Sequence, residues 1–124
     1  MAKTIATLVG VVFILVGIVG FLKHDLLNAH LGALHNVVHL VSGAVSLYFG
    51  TKASLAQART FCLAFGAVYG LLGIVGLVAG GGADKMLDLP GGLMLGTMDH
   101  YIHVLIAILF LVGGFVTKAR AVEA

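Results

Sequence analysis

Four apolar stretches alternate with short polar breaks along the chain. The first runs from about Thr4 to Leu22 and the second from about Leu31 to Gly50. The third covers about Ala58 to Ala79, and the fourth about Thr97 to Thr117. Each is near the roughly 20 residues that cross a bilayer as an α-helix. The breaks are Lys23-His24-Asp25, Thr51 to Thr60, and Gly80 to Gly96, the last with Pro90-Gly91-Gly92 as a turn signal. Strict alternation of apolar and polar residues is missing from the stretches, which argues against a β-barrel. The pattern predicts an all-α bundle of four transmembrane helices in one domain over residues 1–124.

Glycines and aromatics recur along the chain. Gly10, Phe13, Gly17 and Gly20 have the spacing of Gly66, Tyr69, Gly73 and Gly76, and Leu-Val-Gly-Ile-Val-Gly in the first copy becomes Leu-Leu-Gly-Ile-Val-Gly in the second. Further on, His35-Asn36-Val37-Val38-His39 stands where Asp99-His100-Tyr101-Ile102-His103 stands. The chain therefore reads as two tandem helix pairs, about 4–50 and about 58–117. A pair crosses an even number of times, so both copies insert in the same sense, related by a pseudo-twofold axis along the membrane normal. The later copy also argues that the first stretch is a helix of the fold and no cleaved signal peptide. No small-x-small cleavage site follows Leu22.

Composition agrees with lipid as the solvent. Of 124 residues 60% are hydrophobic and 10% charged, against about a quarter charged in soluble domains, and the mean hydropathy is +1.15. A net charge of +2, with no basic run, leaves no reason to expect a nucleic-acid partner. Cys62, the lone cysteine, excludes an internal disulfide framework and reads as a small hydrophobe. The positive charges set orientation. Lys3, Lys52, Arg59, Lys118 and Arg120 share one side, and Lys23 and Lys85 the other. That excess places both termini in the cytoplasm.

The glycines suit close helix packing, as at Gly66-x-x-x-Gly70 and the Ser42, Gly43 and Ser46 face. Such a face packs within the bundle or docks another chain. The chemistry lies elsewhere. All six histidines, His24, His30, His35, His39, His100 and His103, fall on the extracytoplasmic side of this topology. His35 and His39 are four apart, as are Asp99 and His103, so each pair shares a helix face. His39 and His103 sit roughly 8 Å inside their helices, at about 1.5 Å per residue. Polar groups at that depth face the bundle interior.

Three readings follow. One is a hydrogen-bonded network of Asn36, Asp99 and the imidazoles. A second is a cofactor held by His39 and His103, or a metal held among His35, His39, Asp99, His100 and His103. Haem, a chlorophyll-like pigment, zinc and copper are all candidates, and Met86, Met94 and Met98 on the same side would favour copper(I). A third is a proton path, which would stop halfway because no charged residue lies in the cytoplasmic half of any helix beyond its first turn. The His100-x-x-His103 pair has no glutamate for a metalloprotease motif. No nucleophile–base pair, phosphate loop or CxxC is present. An enzyme is not indicated.

Leu34-His35-Asn36-Val37-Val38-His39-Leu40 resembles the LHN-x-VHL signature of a bacterial membrane family, domain of unknown function 4383. Asp99-x-x-x-His103 and the glycine-rich third helix resemble that family's later features. The resemblance covers the second to fourth helices and implies a four-helix bacterial membrane protein without an assigned activity. That family usually has asparagine where this chain has His100, a change open to two readings: an added ligand or a tolerated polar swap. The loops are too short to form a receptor head. The expected function is a non-enzymatic accessory or scaffold subunit that meets lipid, other membrane subunits or a second copy of itself. The alternative is a cofactor-binding membrane protein.

Overall fold

The computed structural model describes residues 1–23, 33–83, 85–89 and 93–117. Among these residues the fold is all-α, with four helices: α1 (Ala2–Leu22), α2 (Ala33–Thr51), α3 (Leu55–Ala79) and α4 (Thr97–Val116). His24, His30, Asp25, Asp84, Pro90 to Gly92, Lys118, Arg120 and Glu123 lie outside the described residues. The α3–α4 connection holds an element the sequence pattern does not announce, a hairpin of β1 (Leu87–Leu89) and β2 (Leu93–Leu95). They run antiparallel with Leu87 opposite Leu95 and Leu89 opposite Leu93.

Helix α3 begins three residues before its apolar stretch because the sequence supplies a cap. The Ser54 hydroxyl accepts from the Gln57 amide, and Gln57 Oε1 accepts from the Ser54 amide, each at 3.1 Å. This reciprocal pair satisfies two donors that a helix start otherwise leaves open.

α1 packs chiefly on α2 and α3 chiefly on α4, and glycine sets the closeness of both pairs. A methyl at Gly10 would stand 2.9 Å from the Leu47 amide nitrogen, and one at Gly17 2.8 Å from Leu40. In the second pair a methyl at Gly66 would stand 2.7 Å from Leu111, and one at Gly73 2.7 Å from Val104. Gly20 lies under the Asn36 side chain and Gly76 under the His100 ring. Early residues of one helix thus meet late residues of the next, so both pairs are antiparallel. No side chain larger than hydrogen fits these places without moving a neighbour.

The pairs are tied at one end by buried hydrogen bonds. The Ala2 amide donates to Thr117 Oγ1 at 2.9 Å and Cys62 Sγ to the Ala2 carbonyl at 3.4 Å, while within the first pair Ser46 Oγ donates to the Ala6 carbonyl at 2.6 Å. Between them lies a core of Phe13, Phe61, Tyr69 and Phe110 with alanines.

The outer surface is apolar. Leu71 is 66% exposed and Phe115 71%, and Leu8, Val12, Ile74 and Leu105 are also exposed. The buried set includes His35, Asn36, His39, Ser46, Asp99, His100 and His103. Water would reverse that distribution. Among the described residues three helices, α1, α3 and α4, are long and apolar enough to cross a membrane. The fourth expected span, α2, is less apolar because it carries His35, Asn36, His39, Ser42 and Ser46. The large apolar residues Leu34, Val37, Val41 and Tyr48 occupy its exposed face.

Candidate functional site

The first turns of α2 and α4 lie at the end of the bundle that also holds the hairpin. On α2, the four-residue spacing of His35 and His39 brings their rings together, with centroids 4.3 Å apart and planes tilted by 44°. On α4, His103 lies one and a half turns in and meets His35 edge-on, with centroids 6.1 Å apart. His35, His39 and His103 each offer one nitrogen, and these three nitrogens lie within 4.8 Å of one another. All three residues are buried.

The cluster sits on an aromatic floor. Phe13 of α1 stacks on His39 with ring centroids 5.5 Å apart, and Tyr69 of α3 lies 5.4 Å from His103. Phe13 and Tyr69 are 5.6 Å apart, so each helix contributes a ring to a continuous run of ring contacts. The Tyr69 hydroxyl donates to Ser42 Oγ at 3.3 Å. The Nδ1 atoms of His39 and His103 are buried and make no hydrogen bond among the described residues. Buried polar atoms are nearly always paired, so such atoms ask for an explanation.

Asp99 starts α4. Its Oδ2 accepts from the Gly96 amide at 2.8 Å, which restrains the first turn where Gly96 has no side chain to offer. Asp99, His35, His39 and His103 line a common cavity of about 340 Å³ between α1, α2 and α4. The remaining lining is apolar, from residues such as Val9, Val12, Ile106 and Leu109.

Residues 3–116 match the model of a family described as a domain of unknown function (DUF4383). The chain belongs to that family. Nothing among the curated proteins and nothing among the solved structures matches it. Within this DUF4383 chain, Leu34 to Leu40 supplies two of the three clustered imidazoles, and Asp99-x-x-x-His103 supplies the third with the carboxylate beside it.

His100 does not join them. It follows Asp99 by one residue, about 100° around the helix at 3.6 residues per turn, and so faces α3. Its Nε2 donates to the Lys85 carbonyl at 2.7 Å, an assignment fixed by the carbonyl being an acceptor alone. The ring covers Gly76 and holds the connection before the hairpin to α4. Asn36 has the matching place over Gly20. Of the three methionines on this side, Met86 and Met98 are not among the cavity's lining residues, and the Met94 side chain lies outside the described residues. Phe13 and Tyr69 were not among the site residues expected from sequence, although their matched positions between glycines were visible.

Proposed function

We propose that this is a non-enzymatic membrane protein of four spans that holds one zinc-class divalent ion at His35, His39 and His103. The observation that carries the reading is the convergence of three buried imidazoles from two helices, with Nδ1 of His39 and of His103 making no hydrogen bond among the described residues. A tetrahedral ion bound at about 2.0–2.1 Å would draw the widest nitrogen pair, at 4.8 Å, inward by roughly 1.4 Å. Side-chain rotation covers that distance.

Three converging nitrogens suit a bare ion better than haem or a chlorophyll-like pigment. A flat macrocycle would leave its metal one open position on each face, so of three imidazoles on one side only one could bind. Imidazole ligands suit zinc, copper, iron and nickel. Zinc tolerates irregular geometry and keeps an open position when three protein ligands hold it. Purified protein from metal-replete cells should carry close to one such ion per chain, and a variant lacking all three imidazoles should carry none. Equal metal content in both proteins would overturn the reading.

The two-pair architecture is part of this proposal. Matched contacts of Gly10 and Gly66, Gly17 and Gly73, and Gly20 and Gly76 support a tandem repeat about a pseudo-twofold axis. Its axis would pass between Phe13 and Tyr69. The Lys/Arg distribution supports cytoplasmic termini in a bacterial inner membrane.

A second reading, an accessory subunit of a larger assembly or a self-associating one, is favoured by a groove of about 440 Å³ between α2 and α3. Phe49, Phe61 and Phe65 line it on an apolar surface. Gentle extraction followed by native electrophoresis tests it. Migration as a single chain would count against a stable partner.

A further inference from the structure

The cavity that ends at the three imidazoles begins on the lipid-facing surface. At its rim stand exposed residues, Leu8 and Val12 of α1 and Leu105 and Leu109 of α4. At its inner end stand His39 and His103, both more than nine-tenths buried, with Nδ1 atoms that make no hydrogen bond among the described residues. Its volume, about 340 Å³, lies at the small end of ligand sites, which run from about 300 to 1,000 Å³.

Depth along the helices gives the cavity a direction. Counted from Thr97, His103 lies about 9 Å along α4 and Leu109 about 18 Å, at about 1.5 Å per residue. In a hydrocarbon layer about 30 Å thick, the imidazole end is near one interface and the rim opens toward the middle. A molecule filling this space has a polar head near the interface and an apolar tail pointing to the bilayer centre.

The groove between α2 and α3 is lined by other residues, with none of the clustered imidazoles among them. In the register that matches Gly17 with Gly73, Val9 corresponds to Phe65. In the register that matches His39 with His103, Ile106 corresponds to Ser42. Between α2 and α3 the Phe65 ring contacts Phe61 and Tyr69, and Tyr69 reaches Ser42. Between α1 and α4 the smaller Val9 leaves the corresponding space empty of side chains.

Resting on the metal reading above, we infer that the ion's remaining position takes the carboxylate of a fatty acid, which enters sideways from the bilayer and lays its chain in the cleft between α1 and α4. Charge selects the head group. A divalent ion held by three neutral imidazoles beside one carboxylate, Asp99, keeps one positive charge without a counterpart. An uncompensated charge is costly in apolar surroundings. A monoanionic head cancels it, whereas an alcohol or an amine does not. The apolar lining accepts the chain.

The test uses the full chain loaded with cobalt(II) in phosphatidylcholine nanodiscs. The visible bands of cobalt report its ligands. Dodecanoate should shift the bands saturably, at concentrations where acetate, a head without a chain, and dodecanol, a chain without the charge, leave them unchanged. Val9→Phe, which copies the residue at the matched position, should keep the cobalt bands and lose the response to dodecanoate. Val12→Phe at the rim is a second block should Val9→Phe not assemble. No shift with dodecanoate, an equal shift with acetate or dodecanol, or a full response in a folded blocked variant overturns the inference while the metal reading stands. Failure of the wild-type chain to show cobalt bands overturns the metal reading itself, and this inference with it.

Discussion

Phe13 lies flat against His39, with ring centroids 5.5 Å apart and planes within 10° of parallel. A parallel ring at this distance holds the imidazole in one plane without using either nitrogen, so both stay available for other partners. Replacing Phe13 with alanine should free the His39 ring and leave a void in the core. The expected cost is about 3 kcal/mol, near the low end for a buried Phe→Ala change. Thermal unfolding in detergent would show it, and a variant as stable as wild type would deny the ring this role.

Metal content separates the histidines. His39→Ala and His103→Ala should each strip most of the bound ion, because two imidazoles hold a zinc-class ion much less firmly than three. His100→Asn should keep it, since His100 is bonded to the Lys85 carbonyl and not turned to the cluster. Elemental analysis of the three purified variants decides the matter. Loss of metal in His100→Asn would move the site.

Glycine contacts give a graded test. Gly20→Ala places a methyl against Asn36, and Gly76→Ala places one against the His100 ring. Each should destabilise by about 1–3 kcal/mol, as overpacking does in a close-fitting interior. Gly70→Ala would bring its methyl 3.3 Å from the Ala107 methyl group, a milder approach with a smaller expected effect. Unfolding midpoints of the three proteins in the same detergent should rank in that order.

Topology can be read in cells. A reporter active only in the cytoplasm, fused after Ala124, should be active, and a periplasmic reporter at the same place should be silent. The reverse result would put the histidine cluster on the cytoplasmic side.

The helices were legible because each is a long apolar stretch set off by polar breaks. The expected end of the first at Leu22 and start of the fourth at Thr97 are where the structure has them. The start of α3 was not, because Ser54 and Gln57 are polar and read as a break, although their three-residue spacing is itself a capping signal. The hairpin was hidden because its strands have three residues each, too few for a period to show. In the site, spacing brought His35 with His39 and Asp99 with His103. It gave no warning that His100, one residue away, looks toward another helix. Which face of α4 meets which neighbour depends on how closely Gly73 and Gly76 let it approach α3, a matter of tertiary packing.

The register that sets His39 opposite His103 also sets His35 opposite Asp99. A half-length chain that paired with itself would have to carry the same residue in both places, and its centre could be only a symmetric set of imidazoles. Joining two halves in one chain lifts that constraint. In the proposed repeat, one position can then become acidic while the other stays basic, and the pocket acquires an asymmetry that a symmetric homodimer cannot have. That asymmetry reaches past the centre, since Val9 stands opposite Phe65 and Asn36 opposite His100 in the same registers.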